Sequence, residues 1–166
     1  MLEKCRILYK GDMIAASFYV FTGMILLLFA LILQYFTISI GYKYLSYGFF
    51  MFFLYCLGKG AVLFYSSRQR YEFYKAKTAL TPSLISEETT YTAFRIEKKQ
   101  RNRRIYVYVV ALSSIMAFVG IFTQQKGLIM GTAIPIALIS GIELGIGLLT
   151  EFRLREYYRQ LNKKHF

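Results

Sequence analysis

Residues 68–104, RQRYEFYKAKTALTPSLISEETTYTAFRIEKKQRNRR, divide the chain into two halves that are far more apolar than this stretch. It carries ten of the 21 Lys and Arg residues, against four acids, Glu72, Glu87, Glu88 and Glu97. No charge occurs from Met13 to Tyr42 on one side, nor from Ile105 to Gln125 on the other. A helix needs about 20 apolar residues to cross the hydrocarbon core of a bilayer. Four windows meet that length: 13–33, 44–67, 105–125 and 128–150. The second is interrupted only by Lys59 and the fourth only by Glu143.

The expected fold is an all-α integral membrane protein. It is a four-transmembrane-helix bundle made of two tandem parallel helical hairpins, with cytoplasmic helical extensions. The divisions are a lead over 1–12, a first hairpin over 13–67, a basic helical connector over 68–104, a second hairpin over 105–150 and a basic tail over 151–166. Tyr35, Tyr42, Tyr44 and Tyr47 cluster around the first outer turn, as an interfacial aromatic belt would. Gln124, Gln125, Lys126 and Gly127 form the second outer turn. In the connector, Thr81 and Pro82 read as an N-cap followed by proline at the first helical position. Ser86, Glu87 and Glu88 offer a competing start, with acids set against the positive end of the helix dipole. Pro135 reads as a kink within the fourth span, compensated by its neighbours.

Composition agrees with this reading. Of 166 residues 56% are hydrophobic and 18% charged, where soluble domains carry about 25% charge. The net charge of +12 would suit nucleic acid on a soluble fold. Here the cations flank apolar runs, so they read as topogenic charge and as contacts to a bilayer with anionic headgroups, with no nucleic-acid partner. Three Lys/Arg lie in the lead, ten in the connector and five in the tail, whereas the outer turns hold only Lys43 and Lys126. That asymmetry places both termini and the connector in the cytoplasm. A bacterial cytoplasmic membrane is the default, and the N-terminal run, too long for a signal peptide, reads as a retained first span.

The halves are alike beyond being hydrophobic. A shift of 84 residues superposes Glu72-Phe73-Tyr74-Lys75 on Glu156-Tyr157-Tyr158-Arg159, and Lys59 on Glu143. Such a match reads either as a parallel internal repeat or as convergence on the chemistry of membrane exit.

Lys59 and Glu143 are the sharpest features of the sequence. A charge at mid-span costs roughly 2.5–3.5 kcal/mol. Both lie about 14 Å from the basic anchors Arg68 and Arg153, at the helical rise of about 1.5 Å per residue. Similar depth and opposite sign suggest an intramembrane ion pair joining the hairpins. The alternatives are a relay in which Glu143 titrates, or a Lys59 that snorkels to the interface.

Gly127-x-x-x-Gly131 and Gly141-x-x-x-Gly145 supply the small-residue spacing that allows close helix contact. They serve either the bundle's own packing or an oligomer face. Phe49, Phe50, Phe52, Phe53, Tyr55, Phe64 and Tyr65 make the second span aromatic, facing lipid or a partner. Arg95, Lys98, Lys99, Arg101, Arg103 and Arg104 form the expected cytoplasmic basic surface.

Two cysteines, Cys5 and Cys56, are too few for a disulfide framework. His165 stands alone, and no metal or cofactor is expected. Hydrolase, metalloprotease and phosphate-loop motifs are missing, which argues against an enzyme. The expected function is that of a non-enzymatic accessory or scaffold subunit, or a toxin-inhibiting partner, bound to a membrane-protein partner or to its own copies through its basic cytoplasmic helices and glycine-rich helix faces. The alternative is a small oligomeric ion channel or proton-coupled transporter using Glu143 and Lys59, with Ser113, Ser114 and Thr132 as polar pathway groups.

Overall fold

A computed structural model describes residues 2–36, 38–77 and 81–162. They form four long helices, α1 (Leu2–Phe36), α2 (Ile40–Ala76), α3 (Pro82–Gly120) and α4 (Lys126–Asn162). All four are long and apolar enough to cross a membrane. Their 35 to 39 residues correspond to roughly 50–60 Å of helix at about 1.5 Å per residue. An apolar layer of about 30 Å would therefore leave a polar overhang on each. The stretch 68–104 is shared between the end of α2 and the start of α3.

Local chemistry sets the helix ends. Thr81, in an extended conformation, is the N-cap of α3 and Pro82 occupies its first turn. The competing start at Ser86 lies inside the helix, because proline's fixed φ and missing N–H suit the first turn. Glu88 is thereby carried into the second turn, away from the orphan N–H groups it would have capped. The second outer turn is displaced too. α3 ends at Gly120 and α4 begins at Lys126, so Lys126 and Gly127 are helical. The Gln125 carbonyl accepts from the N–H groups of Leu128 and Ile129, which draws this segment into the helix. α4 continues unbroken through Pro135.

Pair contacts give the helix directions. Along α1 and α2, Ser46 Oγ donates to the Ala30 carbonyl at 2.8 Å and Arg6 Nη2 to the Lys75 carbonyl at 3.2 Å, so the two run antiparallel. Their backbones come close at Gly60, where a Cβ would lie 3.1 Å from the Ala16 carbonyl oxygen. α3 packs on α4, with Gly120 against Ile129 and Met130. α2 and α4 run side by side in the same direction, with Gly41 against Gly127, Gly48 against Pro135 and Lys59 against Glu143. The core has two parts. One, near the chain ends, joins Cys5, Leu8, Tyr9, Tyr74, Leu154, Tyr157 and Leu161. The other, in the middle, joins Tyr19, Leu26, Ala30, Phe49, Cys56 and Ile139.

Among the described residues, no Cα of α3 comes within 8 Å of α1 or α2. α3 meets them through side chains, with Ile85 and Ile96 packed on the core that Cys5, Leu8, Tyr9 and Tyr74 share, Tyr91 against Arg70, and Arg95 on Asp12.

Candidate functional site: buried carboxylates and a cationic cavity

Four of the nine acids are buried: Asp12, Glu88, Glu143 and Glu151. An unpaired buried carboxylate is too costly to keep, and each of these is enclosed by donors from other helices. Glu143, on α4, is only 3% exposed. It accepts from Tyr19 Oη of α1 at 3.0 Å, from Tyr55 Oη of α2 at 3.1 Å and from Lys59 Nζ of α2. Lys59 also donates to Tyr55 Oη at 3.2 Å, one helical turn back. Its ammonium lies 5.0 Å from the Tyr19 ring centroid, within the range at which a ring face attracts a cation. The two charged residues singled out in the sequence are thus brought together, and two phenols complete the shell.

Glu88 repeats the same chemistry near the chain ends. It accepts from Tyr9 Oη of α1 and Tyr74 Oη of α2, both at 2.6 Å, and from Arg70 Nη1 of α2 at 3.3 Å. Each cluster therefore takes one tyrosine from α1, and a tyrosine and a cation four residues apart from α2. Burial drives the pKa of Tyr9 and Tyr74 upward, and the neighbouring carboxylate adds to the shift. Both phenols stay protonated and donate to Glu88, and Tyr9 Oη also accepts from Arg70 Nη1 at 3.3 Å. The remaining acids pair with arginines. Asp12 accepts from Arg95 at 2.6 Å and faces Arg153 at 3.6 Å. Glu151 accepts from Arg103 at 3.2 Å and Arg155 at 2.6 Å.

These pairings redistribute the expected basic surface. Lys98, Arg101 and Arg104 are exposed, and Lys99 is half-buried. Arg95 and Arg103 turn inward instead, because Asp12 and Glu151 are buried and need counter-charges. The four glycines also separate. A Cβ on Gly127 would lie 2.9 Å from Gly41 Cα, and one on Gly131 would lie 3.0 Å from the Gly41 carbonyl oxygen, so this pair sits in the α2–α4 contact. Gly141 and Gly145 face open space. In the aromatic run of α2, Phe49 is buried and Tyr55 is bound to Glu143, while Phe50, Phe64 and Tyr65 are exposed.

Asp12 and Glu151 with their arginines, and Glu88 with Tyr9 and Tyr74, escaped the sequence reading. Asp12 and Glu151 stand at the ends of uncharged runs, where an acid passes for an ordinary boundary residue. The available signal was the scarcity of acids in so basic a chain.

Between α3 and the α1–α2 pair lies an open cavity of about 670 Å³. Its lining includes Lys59, Arg95, Lys98 and Lys99 but only one acid, Asp12. Neither Lys98 nor Lys99 forms an ion pair among the described residues. Leu54, Val62, Leu63, Phe94 and Ile146 supply its apolar wall, and Tyr55, Ser66, Asn102 and Thr150 add uncharged polar groups. Comparison with protein-family models, curated proteins and solved structures finds no match for this chain.

Proposed function

We propose that the chain is an integral membrane protein of a bacterial cytoplasmic membrane, with both termini and residues 68–104 in the cytoplasm. It acts without catalysis, as an accessory or scaffold subunit or as the inhibitory partner of a membrane-active toxin. In this reading two tandem parallel hairpins, each α-helical pair one repeat, form the bundle, and the Lys59–Glu143 pair joins them. Large apolar side chains point outward along the middle of the helices, among them Phe21, Leu28, Val62 and Phe118. Lipid is the natural solvent for that surface.

The observation that carries the partner reading is the uncovered face of α4. Gly141 and Gly145 meet nothing within 4 Å. Leu138, Leu148, Leu149 and Phe152, at helical spacing from them, are all exposed. Small residues flanked by large apolar ones let a second membrane helix approach closely. Purification in mild detergent, with cross-linking and mass spectrometry, tests this. We expect a stoichiometric partner chain that Gly141→Leu and Gly145→Leu release while the bundle stays inserted. A lone monomer, indifferent to both changes, would overturn the reading. Cysteine reporters at Lys43 and Glu97 test the orientation, and labelling of both from the same side would contradict it.

The cavity beside Lys59 favours a second reading, a small oligomeric channel or proton-coupled transporter using Glu143 and Lys59. Its other candidate groups lend little support. Ser113 Oγ donates to the Val109 carbonyl at 2.6 Å and Thr132 Oγ1 to the Leu128 carbonyl at 2.9 Å, each within its own helix. pH-dependent flux in proteoliposomes that Glu143→Gln abolishes would establish this alternative.

A further inference from the structure

We propose that the cavity between α3 and the α1–α2 pair binds the phosphate group of an anionic amphiphile, with the phosphate on Lys98 and Lys99 of α3 and the hydrocarbon chain along Leu54 and Val62 of α2. Four cations line the cavity, and its one acid, Asp12, is already matched by Arg95 and Arg153. Lys59 is held by Glu143. That leaves Lys98 and Lys99, adjacent on one helix, as ammonium groups lacking a carboxylate partner among the described residues.

Lys99 is the more telling of the two. Burial lowers its pKa, and the nearby cations Lys59 and Arg95 push the same way, against the opposing pull of Glu143 and Asp12, both of which already hold cations of their own. A half-enclosed ammonium beside two other cations is an electrostatic debit that a bound anion removes. The second element is the wall opposite. Beside Tyr55, Lys59 and Ser66, α2 contributes Leu54, Gly58, Val62 and Leu63, and these four form an apolar strip across the cavity from the cations of α3. A free inorganic anion gains nothing from that strip. An acyl chain removes it from water, at roughly 25 cal/mol per Å².

The opening in the wall has a structural cause. α3 is held from α1 and α2 by side chains as long as Arg95 and by the Glu88 cluster, so a gap of this size is built into the helix arrangement. Only the source of the hydrocarbon chain rests on the membrane reading, and alkaline carbonate extraction of membranes tests that reading separately.

Native mass spectrometry of the full chain, released from maltoside micelles doped with phosphatidylglycerol or phosphatidylcholine, is the test. We expect one retained phosphatidylglycerol per chain and at least tenfold weaker retention of phosphatidylcholine. The double change Lys98→Gln with Lys99→Gln should weaken phosphatidylglycerol retention at least tenfold. The control Arg101→Gln with Arg104→Gln removes equal charge from exposed positions off the cavity and should leave retention unchanged. Val62→Asp, at an exposed position, supplies a second variant that places a carboxylate in the site and should also abolish retention. Equal losses in the two double variants would reduce the effect to general surface charge and overturn the proposal. Displacement of the lipid by millimolar inorganic phosphate would overturn the amphiphile in favour of a simple anion site. A chain that is extracted by carbonate yet still retains phosphatidylglycerol through Lys98 and Lys99 would refute the membrane reading and leave this site standing.

Discussion

Lys59 donates to Glu143 across 84 residues of sequence, from a side chain 30% exposed to one 3% exposed. The inequality matters as much as the contact. Lys59, if deprived of its partner, has a route to solvent along its flexible stem, whereas Glu143 has none. Lys59→Met should therefore destabilise the bundle by about 3–5 kcal/mol, the cost of stranding a buried charge. Glu143→Met should cost less, and the double change less than Lys59→Met alone. Unfolding in mixed micelles, analysed as a double-mutant cycle, measures this. Additive single effects would mean that the two charges do not interact.

The Glu88 cluster makes a similar but separable prediction. Tyr9 and Tyr74 each give a hydrogen bond to an ionised acceptor at 2.6 Å. Such bonds contribute about 1.5–3 kcal/mol, so Tyr9→Phe and Tyr74→Phe should each lower stability by that order. Both changes keep the stacked rings, whose centroids lie 5.7 Å apart with planes 9° from parallel. Glu88→Gln in the same assay should lose more, because it also strips Arg70 of its counter-ion.

Two glycine pairs of identical spacing should respond in opposite ways. Gly127→Leu drives a side chain into the Gly41 backbone and should separate α2 from α4, lowering the thermal midpoint of the purified bundle by several degrees. Gly141→Leu meets open space and should leave that midpoint within about one degree or raise it slightly, since glycine in a helix interior costs about 1 kcal/mol relative to good helix formers. The same fall for both changes would contradict the placement of the two pairs.

Alkaline pH should loosen the end of the bundle built around Cys5, Tyr74 and Tyr157. Burial raises the pKa of Cys5 above 9.0, and of Tyr9, Tyr74 and Tyr157 above 10.0. Each group is thus favoured in its neutral form when folded. A raised folded-state pKa gives stability that is complete below the unfolded-state value and lost as pH climbs through the folded-state value. Thermal midpoints should hold up to about pH 9 and fall above it. Cys5 should resist maleimide at neutral pH, since it is buried with its sulfur 2.8 Å from Tyr157 Oη. Rapid labelling of Cys5 in the folded protein would contradict this packing.

The sequence by itself determined the number of membrane-length helices, the start of α3 at Thr81 and Pro82, and the two charged positions most in need of a partner. It set the last turn over residues 124–127, where α4 has already begun. The helix count and the charged positions follow from hydrocarbon thickness and from the cost of a lone charge, both of which act on local composition. The facing of each side chain was a different matter. Helices apolar all the way round carry no stripe that separates inside from outside, so nothing local told Gly127 from Gly141, or Phe49 from Phe50. Acids at the edge of an apolar run, such as Asp12 and Glu151, read as solvent-facing until Arg95, Arg103 and Arg153 are brought against them from other helices. Tertiary structure alone decided that Tyr9 and Tyr74 converge on Glu88, and that α3 stands far enough from α2 to open a cavity beside Lys98 and Lys99. The physical reason is that these contacts join residues tens to more than a hundred positions apart, and only the packing of all four helices sets the angle at which each side chain leaves its axis.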